Sequence, residues 1–201
     1  MYRLLATCTA LLLVACGRSE GPDGSADTTQ DTQMPESASE SATTQPTSAV
    51  VQIEPTQGNT VSGMLTIVAE DDGVRLTGTL QGLKPDGEFG FHIHEKGDCS
   101  APDASSAGGH FNPLNVAHGH PESDTHHVGD MMNLKSDADG VAQVDARAFG
   151  ATLNTGEPTD VLGRAVVVHE SADDYTSQPA GNSGARIGCG VITLKADGAA
   201  G

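Results

Sequence analysis

The sequence predicts an all-β fold, a Greek-key barrel or sandwich of about eight antiparallel strands with two long functional loops. The first observation is a series of short runs from residue 50 onward in which apolar and polar residues alternate, as they do in half-buried strands. The second is that turn-forming segments such as EDDG, KPDG and SDADG separate these runs at hairpin-like spacing. The third is that no long helical period interrupts the pattern after the N-terminal segment.

The strand predictions follow the chain in order. In GVRLTGTLQGL, for example, Val74 and Leu76 alternate with Arg75 and Thr77, so one face would be buried and the other solvated. The runs with strand character are VVQIEP, TVSGMLTIVAE, GVRLTGTLQGL, EFGFHIHE, GVAQVDARAF, GRAVVVHE and GCGVITLK.

Two long stretches between these runs do not fit strands. They extend over residues 97–128 and 170–188 and are rich in Gly, Pro, Ser, Asn and Asp. Loops of this length in a compact domain usually carry function, and we expect the same here.

The N-terminal segment MYRLLATCTALLLVAC has the pattern of an export signal. It combines Arg3 with an apolar stretch from Leu4 to Ala15 that is too short to span a bilayer. Its LVAC ending resembles the bacterial lipobox, which implies a signal peptide over residues 1–15, cleavage before Cys16 and a lipid on that thiol. The alternative is a plain secretory signal in which the position of Cys16 is accidental.

Residues 16–48 are predicted to form the lipidated cysteine and a disordered acidic tether, followed by a folded domain over residues 49–201. The tether consists mainly of Ser, Thr, Asp, Glu, Gln, Pro and Gly, and its few apolar groups cannot offset the entropy lost on ordering. Gly17, not Asp, follows the lipidated cysteine, which favours the outer membrane. The expected location is therefore the cell envelope, with the protein lipid-anchored at the periplasmic face of the outer membrane.

The predicted domain is acidic. Residues 49–201 carry 21 carboxylate side chains against 8 basic ones. Binding to nucleic acid requires a basic surface, so a nucleic-acid partner is excluded.

The four cysteines divide by position. Cys8 lies in the signal and Cys16 takes the lipid, which leaves Cys99 and Cys189 as a pair in an exported, oxidising context. We expect a disulfide between them. Two free thiols or two metal ligands are the alternative.

Histidine spacing points to a metal site. His92 and His94 lie two residues apart in a predicted strand, so both rings leave the same face of the sheet while Phe91 and Ile93 leave the other. All eight histidines fall between residues 92 and 169. Four imidazole nitrogens suit copper, and nitrogens with one carboxylate oxygen in a tetrahedron suit zinc.

The chain from about residue 50 to residue 195 resembles the copper/zinc superoxide dismutases of the bacterial lipoprotein kind. The motifs that carry the resemblance are GFHIHEKGDC, AGGHFNP, HHVGD, VVVHESADD and GNSGARIGCGVI, in family order. The resemblance implies the β-sandwich architecture of that family. It also implies dismutation of superoxide to dioxygen and hydrogen peroxide by a copper centre cycling between Cu(II) and Cu(I), as a defence against extracytoplasmic superoxide.

The resemblance further implies one copper and one zinc ion per subunit, with His110 bridging the two. The residues His120 and His126 are left over as exposed loop residues. They lie near two implied zinc ligands. The phrase HVGD favours His127 over His126, and the family's spacing from that residue favours His118 over His120. The implied copper ligands are His92, His94, His110 and His169, and the implied zinc ligands are His110, His118, His127 and Asp130.

Two further residues take roles from the resemblance. Asp173 is implied to join the rings of His92 and His118, with Asp174 as its rival. Arg186 is implied to stand at the mouth of the copper channel, where a guanidinium can orient a small anion. The alternative for Arg186 is a surface arginine paired with a carboxylate.

Two other functions remain possible at this level. A copper-handling protein without turnover would be expected to lack Arg186, a copper ligand or His110, and none is missing. A mononuclear zinc hydrolase is suggested only by HIHE, and the HExxH motif is not present. The expected partners are superoxide and the membrane, and a homodimer is left open.

Overall fold

The computed structural model describes residues 48–195 of the chain. The predicted signal peptide, Cys16 and the tether up to residue 47 lie outside the described residues. In the described part no helix is long and apolar enough to cross a membrane.

Ten strands and one short 3-10 helix, Ser105–Ala107, are described. The strands are β1 (Ser48–Pro55), β2 (Ser62–Glu70), β3 (Gly73–Gln81), β4 (Glu88–Phe89), β5 (Phe91–His94), β6 (Leu134–Lys135), β7 (Ala142–Phe149), β8 (Ala165–His169), β9 (Arg186–Val191) and β10 (Thr193–Leu194).

The strands pair antiparallel throughout. The main sheet follows the order β5-β8-β9-β1-β2-β3-β7, with β10 also paired to β1, while β4 pairs with β6. Strands β3 and β5 lie near opposite ends of this order, so the chain must cross over between them. The N-terminal strand β1 pairs with β9, one of the last strands along the chain. Such crossing connections are those of a Greek key, so the predicted all-β architecture is confirmed.

Alternation along the strands builds the core. In β1 the side chains of Ala49, Val51 and Ile53 are fully buried, whereas Gln52 and Glu54 are exposed. Burying a side chain of the size of Val51 or Ile53 contributes about 1.5–3 kcal/mol. The same pattern in β2, β3 and β7 closes one large apolar cluster on the inner face of the sheet.

The predicted run EFGFHIHE is two strands because the chain changes partners at Gly90. The amide of Gly90 donates to the carbonyl of Ser171 at 2.7 Å, and its carbonyl accepts the amide of His169 at 2.8 Å. A Cβ at this position would lie 2.6 Å from the Cβ of Ser183. The close approach of the Ser183 loop therefore requires a glycine there.

The other predicted elements differ in smaller ways. GCGVITLK is divided at Ile192 into β9 and β10, and β9 begins at Arg186, which shortens the second long loop. The strand β6 was not predicted, because two residues are too short to show alternation.

β8 is buried on both faces, which explains its unbroken apolar run. Val166 and Val168 point into the main core, and Ala165 and Val167 point into a second small cluster with Ala104, Ala107 and Cys189. This second cluster lies under the first long loop. A disulfide between Cys99 and Cys189 joins that loop to β9, so the predicted pairing of these cysteines is confirmed.

Candidate metal centre

The strand β5 presents two histidines away from the core. Phe91 and Ile93 belong to the main apolar cluster, whereas His92 and His94 lie outside it. Both histidines are nevertheless buried, with 0% and 1% of their surface exposed, because the first long loop covers this face of β5.

Main-chain pairing brings the loop to β5. The amide of Ile93 donates to Gly129 at 2.9 Å, and the amide of Phe111 donates to Ile93 at 2.8 Å. These bonds place His110 opposite His94 and Asp130 opposite His92. A Cβ on Gly129 would lie 2.1 Å from the carbonyl oxygen of Ile93, so only glycine allows this approach.

Two groups of side chains converge here, each with ligand atoms within 4.8 Å of one another. His110 belongs to both groups, and all the members are buried. The four-histidine cluster consists of His92, His94, His110 and His169, and the histidine–aspartate cluster consists of His110, His118, His127 and Asp130.

Hydrogen bonds orient the rings of the four-histidine cluster. Nδ1 of His94 donates to Gly108 at 2.9 Å, and Nδ1 of His169 donates to Gly184 at 3.2 Å. The Nε2 atoms of these two rings then lie 3.4 Å apart. His92 is reversed, because its Nε2 contacts Asp173 at 2.6 Å and its Nδ1 is left facing the cluster.

The histidine–aspartate cluster is arranged around Asp130. Its carboxylate lies 2.8 Å from Nδ1 of His110, 3.0 Å from Nδ1 of His118 and 3.4 Å from Nδ1 of His127. The amides of His127 and Gly119 donate to the same carboxylate. Asp130 is thus held by the loop that supplies the rings around it.

Four buried ring nitrogens make no hydrogen bond of good geometry within residues 48–195: Nδ1 of His92, Nε2 of His110, Nδ1 of His118 and Nδ1 of His127. The last two lie near the carboxylate of Asp130 but are poorly aligned with it. An unsatisfied buried polar atom costs about 1–3 kcal/mol. All four belong to the two clusters, and a cation would satisfy them. The donor sets, four nitrogens and three nitrogens with one carboxylate, fit copper and zinc.

Burial keeps the rings of His110 and His169, both in the four-histidine cluster, neutral. It lowers the pKa of His110 to about 4 and the pKa of His169 to about 3. At neutral pH their nitrogens therefore have lone pairs available for a metal. Burial also opposes protonation of His118, but its contacts with Asp130 and Asp173 raise its pKa to about 9. Metal binding at His118 must displace a proton.

Asp173, not Asp174, lies between the two clusters. Its carboxylate contacts Nε2 of His92 at 2.6 Å and Nε2 of His118 at 3.0 Å. Burial alone would raise the pKa of Asp173, but these two contacts lower it below the usual range. Asp174 is exposed and instead caps its own turn by accepting the amides of Thr176 and Ser177.

Arg186 is fixed at the edge of the four-histidine cluster. Its guanidinium donates to the carbonyls of Ala104 at 2.5 Å and Gly108 at 2.6 Å. The carbonyl of Gly108 also accepts a hydrogen bond from Nδ1 of His94. One oxygen therefore positions both the guanidinium of Arg186 and a ring of the cluster. Ala104 has a φ of 55°, a left-handed conformation that is costly for a non-glycine residue.

The two leftover histidines lie outside both clusters. The ring of His120 packs on Tyr175 with 4.7 Å between centroids. His126 donates from Nδ1 to the carbonyl of His127 at 2.7 Å. Both are partly exposed.

Two residues that the sequence analysis missed support the site. The side chain of Asn133 exchanges two hydrogen bonds of 2.9 Å with the main chain of Asp173. The side chain of Gln178 exchanges two with the main chain of His118. No local sequence pattern could have revealed either, because each pair is separated by 40 residues or more.

Comparison with known proteins decides the family. The profile described as copper/zinc superoxide dismutase (SODC) matches residues 61–192. This chain belongs to the copper/zinc superoxide dismutase family. The resemblance to this family drawn from the motifs is therefore confirmed, while the lipoprotein type stays a prediction. The membership supports superoxide dismutation as the reaction of the enzyme.

The matches to similar proteins cover most of this chain. A superoxide dismutase-like protein, YojM of Bacillus subtilis, is 38% identical over 96% of both chains. Superoxide dismutase [Cu-Zn] 2 of Aquifex aeolicus is 41% identical over 68% of this chain and 81% of its own. A crystal structure of a SOD-like protein from Bacillus subtilis, 43% identical, covers 70% of this chain and 95% of its own with a TM-score of 0.64.

Proposed function

We propose that this enzyme dismutates superoxide with one copper ion in the four-histidine cluster and one zinc ion in the histidine–aspartate cluster. The observation that carries the proposal is the position of His110, a single ring that belongs to both clusters. Its Nδ1 lies 2.8 Å from Asp130, while its Nε2 has no hydrogen-bond partner among the described residues. One imidazole can therefore serve both ions.

The reaction converts two superoxide anions and two protons to dioxygen and hydrogen peroxide. Copper, when bound, supplies a centre that accepts an electron from one superoxide and donates it to the next, which zinc cannot do. The protein must orient the anion and deliver protons. His110 can hold a proton at Nε2, the nitrogen on the copper side, while Nδ1 stays fixed beside Asp130.

Arg186 provides the local positive charge for an anionic substrate. The acidic domain would repel superoxide at long range, but a cation at the edge of a narrow site can raise the rate of association locally. Burial lowers the pKa of Arg186 from its usual value, yet arginine remains charged at physiological pH. The two carbonyls that hold its guanidinium keep this charge next to His94.

Metal analysis followed by a dismutase assay tests this function. We expect the purified full chain to contain copper and zinc in equal amounts and to consume superoxide, with the activity removed by cyanide. The rate should fall as salt is added, because added ions screen the attraction of Arg186 for the anion. Replacing Arg186 by Ala should lower kcat/KM about tenfold and remove most of this salt dependence.

Other outcomes of this assay would favour a different function. Stoichiometric metal without consumption of superoxide would support a metal-handling protein in the superoxide dismutase fold. Zinc alone, with activity that survives cyanide, would exclude the copper mechanism.

We also propose that the enzyme acts outside the cytoplasm, anchored through a lipid on Cys16 at the periplasmic face of the outer membrane. The N-terminal signal pattern supports this location, and so does a disulfide of the kind found in oxidising compartments. Cells fed radioactive palmitate should label the wild-type chain and not a Cys16→Ala variant. Equal labelling of the two would refute the anchor.

A further inference from the structure

His118 is a loop residue whose two ring nitrogens both contact a carboxylate. Its ring contacts Asp130 through Nδ1 and Asp173 through Nε2, both at 3.0 Å. It is 4% exposed, although the first long loop around it forms no regular strand. Something other than a strand ladder must therefore hold its main chain.

The side chain of Gln178 fills that role. The amide of His118 donates to Oε1 of Gln178 at 2.9 Å, and Nε2 of Gln178 donates to the carbonyl of His118 at 2.8 Å. This reciprocal pair has the pattern of two residues hydrogen-bonded across antiparallel strands. Within residues 48–195 the main chain of His118 makes no other hydrogen bond.

Gln178 itself belongs to a closed turn that lies against the site. The carboxylate of Asp174 caps the turn at Thr176 and Ser177, and the amide of Gly181 donates to the carbonyl of Ser177 at 2.7 Å. A Cβ on Gly181 would lie 1.7 Å from Oδ1 of Asp173 and 2.8 Å from Nε2 of His118. The turn is thus in direct contact with both residues.

We propose that Gln178 is a positioning residue for the zinc site, acting through the main chain of His118. This inference rests on the proposed function, because it assumes that His118 holds zinc. The second long loop then supports the zinc ligand of the first, although it contributes no ligand itself to the histidine–aspartate cluster. Indirect partners of metal ligands often determine how firmly a metal is retained.

Zinc release from the copper- and zinc-loaded full chain tests the proposal. Gln178→Met keeps the size of the side chain and removes both hydrogen bonds to His118, and Gln178→Glu keeps the acceptor but removes the donor. Both variants should release zinc to a chromophoric chelator about tenfold faster than the wild type, or more. Copper release should stay unchanged, because Gln178 does not contact the ligands held only in the four-histidine cluster.

A matched control and the copper measurement separate positioning from general stability. Gln143 is an exposed glutamine on β7 that contacts Thr79, and Gln143→Met should behave as the wild type does. Since Gln178 is also exposed, its variants should fold. Unchanged zinc release, or equal acceleration of zinc and copper, would overturn the role of Gln178. A wild-type chain that holds no zinc at all would instead overturn the proposed function, and this inference with it.

Discussion

Replacing His110 by Gln is expected to reduce the dismutase rate by about 100-fold or more. This is the factor by which a positioned proton donor commonly accelerates a reaction. His110 has ring nitrogens toward both clusters. A carboxamide lacks the two opposed nitrogens of an imidazole, so it could neither hold both metals nor carry a proton at the position of Nε2. The measurement is the decay of superoxide in a stopped-flow instrument, with the metal content determined on the same samples.

His126→Gln is the matched control for this substitution. His126 lies in the same loop but outside both clusters, and its hydrogen bond goes to a main-chain carbonyl. We expect its variant to keep the activity and both metals of the wild type. If His110→Gln dismutates superoxide as fast as His126→Gln, the shared-ring mechanism is wrong.

Removing the disulfide should have the largest effect on stability. Cys99 and Cys189 close a loop with a sequence separation of 90 residues. The chain-entropy relation gives about 4–5 kcal/mol for a loop of this size. The double variant Cys99→Ser, Cys189→Ser should therefore lose about this amount of unfolding free energy, measured by urea denaturation.

The loss of the disulfide should also disturb the position of Arg186 at the four-histidine cluster. Cys189 belongs to the small cluster with Ala104 and Ala107, and Cys99 packs against that cluster. The carbonyl of Ala104 accepts a hydrogen bond from the guanidinium of Arg186. We therefore expect activity to fall before the domain unfolds. Wild-type protein treated with reductant should match the double variant, because the cross-link and not the serine substitution is responsible. A reduced wild type with an unchanged urea midpoint would contradict this prediction.

The fold was predictable where a local pattern repeats. Alternation placed β1, β2, β3 and β7, because each of these strands has one face in the core and one in solvent. β4, β6 and β10 have two residues each, which is too few for an alternating pattern to repeat. The division of EFGFHIHE at Gly90 also escaped prediction, since it depends on the distant residues Ser171 and His169.

The sequence by itself determined that His92 and His94 share one face of a strand, because side chains two residues apart in an extended chain point the same way. It also showed that all eight histidines lie within residues 92–169 and that Cys99 and Cys189 are available to form a disulfide. The resemblance favoured His118 over His120 and His127 over His126, but only the tertiary structure shows why these loop groups enter the clusters and their neighbours do not. The physical reason is that a loop has no fixed period. The direction of each side chain there is set by contacts with distant residues, such as the carboxamide of Gln178 that holds the main chain of His118.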